Sequence, residues 1–200
     1  MNVRRAIPSM TSEQAIALVR PLAKSSYAVD YPWASIERAL QDYEDDYGLN
    51  LNPDFQRGHV WTQEQQVRYI ENVYRGVVQP VTMVIQFNAP HWDDFHYDGE
   101  LPREIQILDG LQRLTAVRQY LAGNIRPFGK LVHEFDGTEF SAKRTTFYLK
   151  FAVHQFKTRA DLLQHYLDLN TGGTPHSESE ITRVKGMLDA QRCLSEAVSV

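Results

Sequence analysis

An α+β fold, with a small mixed sheet flanked by helices, is what this 200-residue sequence predicts. Apolar residues at helical spacing alternate along the chain with short β-branched runs, so both element types occur from end to end. The β runs are too few and too far apart for a doubly wound sheet. With 42% hydrophobic and 23% charged residues, the chain can build one sizeable core beneath a polar exterior.

The first helix is predicted over residues 11–24, where Ala15, Leu18, Val19 and Leu22 recur at helical spacing. A second covers 34–47, with Ile36, Ala39, Leu40 and Tyr43 on one side and a solvated acidic end at Asp42, Glu44, Asp45 and Asp46. Residues 1–48 therefore read as an N-terminal helical segment ahead of the main unit at 49–200, the two forming one continuous domain. An extended piece follows at 49–57. Thr62-Gln63-Glu64-Gln65 opens the third helix with a capping-box pattern, and Val67, Ile70, Tyr74 and Val77 supply its buried stripe. The run VTMVIQF at 81–87 is a buried strand, 88–103 a surface excursion, and 104–108 the next strand. In the second half, strands are predicted at 131–135 and 145–153 and a helix at 159–169. A loop at 170–175 precedes a last helix over 178–191, capped by Ser177-Glu178-Ser179-Glu180.

The stretch ILDGLQRLTAV, residues 107–117, carries more than packing requires. Asp109 is a good N-cap, Gln112 three positions on completes a capping box, and Leu111, Leu114, Val117 and Leu121 form the apolar stripe. Gln112 and Arg113 fall outside that stripe, one on each flank. Gly110, lacking a Cβ, lets another group approach the backbone at the helix mouth. First-turn N–H groups and the positive end of the helix dipole favour an anion there, and Arg113 can close on it with charge-assisted bonds. A helix start alone and a phosphate site both satisfy the spacing.

This stretch resembles the Asp-Gly-Gln-Gln-Arg-Leu-Thr motif of the GmrSD restriction endonuclease N-terminal domain family, which belongs to the ParB/sulfiredoxin-like superfamily. NPDFQRGHVWTQEQQVRYIENVYRG resembles the family's Phe-Gln-Arg…Val-Trp segment and the helix after it, and LNTGGTPHSESEI its late Asn-Thr-Gly-Gly-Thr-Pro segment. RGVVQPVTMVI is similar to the ParB helix-Gly…Gln-Pro-strand unit. The three motifs occur in family order and span about residues 50–181. The resemblance implies a ParB/sulfiredoxin-like domain with a nucleotide pocket and, in several relatives, nucleoside triphosphate hydrolysis that controls a DNA-cleaving activity. By position, Asp109, Gly110, Gln112 and Arg113 form its phosphate end, with Gln56 and Arg57 approaching from the Phe-Gln-Arg segment. One position departs: the motif's first glutamine is Leu111 here, which bears on hydrolytic competence. The nuclease of longer relatives resides in a separate C-terminal domain with a His-Asn-His-type motif, and nothing in this sequence resembles it.

On this reading Arg113 and Arg57 lie on the phosphates of a nucleoside triphosphate, Mg2+ bridges those phosphates, and Asp109 or Glu71 orients the water. Glu71 also has a structural alternative, pairing with Arg68 or Arg75 on its own helix. Asn170, Thr171, Gly172 and Gly173 are candidate nucleotide-binding residues, because two adjacent glycines exceed what a helix C-cap needs. HWDDFHYDGE at 91–100 has donors enough for a metal, but at mixed spacing in a loop, so an exposed acidic loop is the simpler expectation. His154, His165 and His176 make no defensible catalytic triad. Two further functions stay open: a regulatory protein that senses nucleotide without turnover, with a partner nuclease, and a ParB-like DNA-binding nuclease.

Net charge is −4 and the pI about 6.0, so no global basic field draws the chain to DNA or to anionic lipid. Cys193 is the lone cysteine, which excludes an intrachain disulfide and a Cys-based zinc site. No apolar run reaches the roughly 20 residues of a membrane span, and no signal peptide is visible, so the expected compartment is the cytoplasm.

Overall fold

The computed structural model describes residues 10–56, 58, 60–78, 83–171 and 178–198. Helices α1 (Ser12–Val19) and α2 (Ile36–Tyr47) flank strand β1 (Tyr27–Pro32), and a short 3-10 turn at Trp33–Ser35 leads into α2. There follow β2 (Leu49–Asn50), α3 (Gln63–Tyr74), β3 (Val84–Asn88), β4 (Ile105–Asp109), α4 (Leu111–Leu121), β5 (Tyr148–His154), α5 (Arg159–Thr171) and α6 (Glu178–Val198). The class is α+β, as expected.

The strands form one mixed sheet in the order β1-β5-β3-β4-β2. β5 runs antiparallel to β1 and parallel to β3, while β4 is antiparallel to β3 and parallel to β2. Side chains alternate between the two faces of a strand. Ile85, Phe87, Ile105, Ile107, Phe151 and Val153, each fully buried, give one face to the main core, which α2, α3 and α4 cover. Trp33 sits at its centre without exposure, its ring against Tyr74, Tyr120 and Phe147. On the other face, Leu108 joins Phe55, Leu162, Leu163, Tyr166 and Val184 in a second cluster under α5 and α6.

Local chemistry explains most boundaries. The Thr62–Gln65 capping box of α3 forms as predicted, with Thr62 N donating to Gln65 Oε1 at 2.8 Å and Gln65 N to Thr62 Oγ1 at 3.4 Å. In α2 the expected stripe of Ile36, Ala39, Leu40 and Tyr43 is buried. Val77, placed in the α3 stripe, lies beyond the helix end and is 62% exposed.

Four expectations need correction. α1 is shorter than predicted, and its apolar residues are uncovered, with Leu18 and Val19 each 70% exposed. β1 lies in a stretch for which no element was predicted, inside the segment read as helical. Residues 132–135 form a 3-10 turn, not a strand, because Glu134 Oε2 accepts from Leu131 N at 2.7 Å and closes the turn on itself. The last helix runs on to Val198. Residues 81 and 82 of the predicted third-strand run, and the capping Ser177, lie outside the described residues.

Candidate functional site at the strand–helix junction

β4 ends at Asp109, Gly110 turns the chain with φ +96°, and α4 begins at Leu111. The predicted Asp109–Gln112 capping box does not form: Gly110 takes the cap position, and among the described residues no side-chain cap bond closes the first turn. A Cβ on Gly110 would lie 2.7 Å from Ile85 Cδ1 and 3.1 Å from Ile85 Cα, besides 3.1 Å from Arg113 Nη2. The group that approaches the bare backbone is therefore the neighbouring strand. Glycine is required here by the left-handed backbone and by sheet packing together.

Asp109 and Arg113, one helical turn apart, bind each other. Arg113 Nη2 donates to Asp109 Oδ2 at 2.5 Å and to the Val84 carbonyl at 2.9 Å, tying α4 to β3 as well as to β4. The two side chains are 19% and 32% exposed, Arg113 and Asp109 respectively. Arg113 Nε is buried and has no partner among the described residues. The guanidinium field reaches Tyr69, opposing the burial that pushes that phenol up to about 12.

Gln112 and Gln56 act in opposite directions across one seam. Gln112 Nε2 donates to Gly58 O at 2.8 Å, and its Oε1 accepts from Val60 N and Trp61 N, each at 3.0 Å. Gln56 Nε2 donates to Leu108 O at 2.7 Å and Ile107 O at 3.2 Å, at the end of β4. The turn ahead of Gln56 is held from the far side, since Arg183 on α6 donates to Asp54 O at 2.9 Å and Phe55 O at 2.7 Å, and Arg159 on α5 pairs with Asp54 at 2.5 Å.

Between these walls lies a cavity of about 40 Å³ lined by Gln56, Leu108, Asp109, Gly110, Leu111, Gln112 and Asn170. That is room for a few waters or the oxygens of one phosphoryl group. The predicted residues Gln56, Asp109, Gly110, Gln112 and Asn170 meet here. Asn170, expected at the start of a loop, stands instead on the last turn of α5, where Nδ2 donates back to Tyr166 O at 2.6 Å. Thr171 ends that helix, and Arg57, Gly172 and Gly173 lie outside the described residues.

Arg113 is not among the lining residues. Glu71 also stands elsewhere: its Oε1 accepts from Phe128 N at 2.8 Å, which fixes the turn after α4 instead of pairing with Arg68 or Arg75. The structure does not bring Glu71 to the cavity that Asp109 lines. In the acidic loop, His91 is buried while Asp93, Asp94, His96 and Asp98 are exposed. No group of three or more His, Cys, Asp or Glu side chains able to hold a metal occurs among the described residues. His154 and His165 are buried together beneath α5, with ring centroids 4.5 Å apart, and His154 Nε2 meets Gln86 Oε1 at 2.9 Å.

Chemically, the junction offers the open first turn of an 11-residue helix, a small polar cavity beside it, and one arginine–carboxylate pair at its edge. Sequence reasoning missed the Val84 carbonyl and Ile85. A backbone acceptor leaves no trace in residue type, and Ile85 reads only as a strand residue. Among the described residues no helix is long and apolar enough to cross a membrane. No curated protein and no solved structure matches the chain. A family model described as GmrSD restriction endonuclease, N-terminal domain, matches residues 36–165.

Proposed function

Because the chain belongs to the GmrSD restriction endonuclease N-terminal domain family, we propose that it is the nucleotide-binding part of a modified-DNA restriction system and hydrolyses nucleoside triphosphates with magnesium. The observation that carries the reading is the convergence of Gln56, Asp109, Gly110, Gln112 and Asn170, remote in sequence, on one cavity at an uncapped helix start. The cavity takes a phosphoryl group, not a nucleoside, so base and ribose lie outside it. The placement in the ParB/sulfiredoxin-like superfamily is part of the same proposal and rests on the sequence motifs.

In this reading the first-turn N–H groups of α4 hold phosphate oxygens, and Arg113 supplies the positive charge once the phosphate competes with Asp109 for it. Arg57 is the proposed second phosphate-facing arginine. Magnesium keeps several of its waters and binds through triphosphate oxygens with one or two carboxylates. Asp109 is the carboxylate at the cavity that fits this demand, while Glu71 does not reach it. The ion would neutralise charge on the phosphates, while the chain's own residues orient them. Steady phosphate release from GTP, ATP, CTP or UTP that Arg113→Ala abolishes is the expected result. Failure to bind any of the four with magnesium would remove the reading.

One observation favours a second reading, nucleotide sensing without turnover. Arg113 and Asp109 neutralise each other at 2.5 Å, so neither is free to act on a water until that pair opens, and Leu111 stands where the motif has glutamine. Saturable binding with no product over hours selects this reading. A partner nuclease, or DNA itself, is the proposed recipient of the signal in either case.

A further inference from the structure

The geometry points to Gln112 and Gln56 as positioning residues for the proposed nucleotide site, a role that rests on the reading above but differs from ligand contact. The motif resemblance assigns both to the phosphate end, where they would bond the ligand. Yet the Gln112 amide is committed to backbone on both sides, giving its N–H to Gly58 and taking the N–H groups of Val60 and Trp61. The amide nitrogen of Gln56 is likewise held by the carbonyls of Ile107 and Leu108. Each glutamine thus leaves its own segment and bonds the backbone of the other, one crossing from α4 to Gly58, Val60 and Trp61, the other from the turn at 56 to the end of β4.

This reciprocal crossing is a strap. Two peptide segments some fifty positions apart in sequence are locked in register by side chains that mimic a sheet pairing where none exists. Residues 58 and 60 are off the regular elements, and β4 ends one residue before Gly110, so without the glutamines these carbonyls and N–H groups would lack those partners. Losing these bonds would leave backbone groups of a largely part-buried seam without the partners that hold it. The strap keeps Gly58, Val60 and Trp61 beside the first turn of α4, and Trp61 in turn packs on Tyr69 of α3, 5.5 Å between centroids. Both glutamines line the cavity beside Leu108, whose carbonyl Gln56 holds, so they fix its wall by tying the two segments together, and nucleotide affinity depends on them through that tie.

The test uses the full chain. Amide hydrogen exchange is followed in the wild type, Gln112→Ala, Gln112→Glu and Gln56→Ala, and the affinities for GTP, ATP, CTP and UTP with magnesium are measured alongside. In Gln112→Ala the Val60 and Trp61 amides exchange at least tenfold faster, while Val117 inside α4 stays protected, and affinity for the preferred nucleotide falls about tenfold. Gln112→Glu retains the acceptor for Val60 and Trp61 and loses the donor to Gly58, so those two amides remain protected and affinity falls less. Gln56→Ala weakens binding too, and the double variant loses less than the sum of the singles, because both fasten the same two segments to each other. Unchanged exchange at Val60 and Trp61 in Gln112→Ala overturns the strap. Faster exchange with unaltered affinity overturns its service to the site. If the wild type binds none of the nucleotides, the functional reading and the strap's role in it fail, while the exchange arm alone decides whether the strap exists. If a variant unfolds, protection lost at Val117 reveals it, and Gln112→Glu then decides.

Discussion

The two faces of the sheet bury different chemistry. On one, Ile85, Phe87, Ile107 and Phe151 meet α2, α3 and α4 in a core whose centre, Trp33, has no exposure at all. On the other, Gln86, Asn88, Gln106 and His154 share the surface with Leu108, and the cover of α5 brings a second buried histidine, His165. Apolar burial stabilises the first face by roughly 25 cal/mol per Å². The second has to satisfy polar groups one by one, and among the described residues some have no partner, such as His154 Nδ1 and His165 Nε2. The candidate cavity lies where the two faces meet, at the end of β4. Stability is concentrated on the apolar face, and the groups able to meet a ligand collect at its edge.

Breaking the apolar face should have the largest effect. Trp33→Ala removes the centre of the main core, and urea unfolding should show a loss of about 4 kcal/mol. A loss below about 1 kcal/mol would mean the core is not organised around that ring.

The polar face should respond to acid. His154 is buried beside His165, which lowers its pKa to about 4 from an ordinary value near 6.5. In the unfolded chain it takes up its proton first, so its contribution is intact above about pH 6.5 and is lost as pH falls toward 4. At pH 4.5 that amounts to roughly 2–3 kcal/mol. His154→Gln should show a correspondingly smaller drop in stability between pH 7 and 4.5 than the wild type. Parallel pH profiles would remove the histidine from the account.

At the meeting point itself, Gly110→Ala should destabilise by about 2 kcal/mol, from the left-handed backbone and the crowding against Ile85. A neutral result would show the turn relaxing freely and would weaken the case for a fixed junction. The smallest effect belongs to α1, which joins neither face: Leu18→Ser should change stability by less than about 0.5 kcal/mol in thermal unfolding. A larger loss would show that this helix has a partner in solution.

The legible parts of the fold were those with a local cause. The stripes of α2 and α4 and the Thr62–Gln65 box follow from spacing and side-chain chemistry within one turn. β1 was not legible, because YAVDYP is a partly exposed edge strand whose existence depends on β5, more than a hundred residues away. The strand predicted at 131–135 is a 3-10 turn at 132–135, since Glu134 bonds back to Leu131 N in its own segment. Helical spacing in α1 was correctly detected, yet spacing alone does not say whether a stripe is covered.

The same division holds at the site. That Gln112 and Arg113 escape the packing of α4 was visible in the sequence, and so was the Asp109–Arg113 spacing of four. Their partners were not. Gln112, expected at its own cap or at the phosphate end, bonds Gly58, Val60 and Trp61, while Arg113 bonds the Val84 carbonyl as well as Asp109. Both outcomes depend on backbone groups that any residue supplies.

The account depends on an anion entering the open turn of α4. The most direct measurement follows the backbone amides of Gly110, Leu111, Gln112 and Arg113 by NMR while each of the four ribonucleoside triphosphates is added with magnesium. The prediction is a saturable shift of these four with at least one nucleotide, diminished in Arg113→Ala. Saturation that leaves all four unmoved while resonances elsewhere shift would place the ligand away from the junction and contradict it.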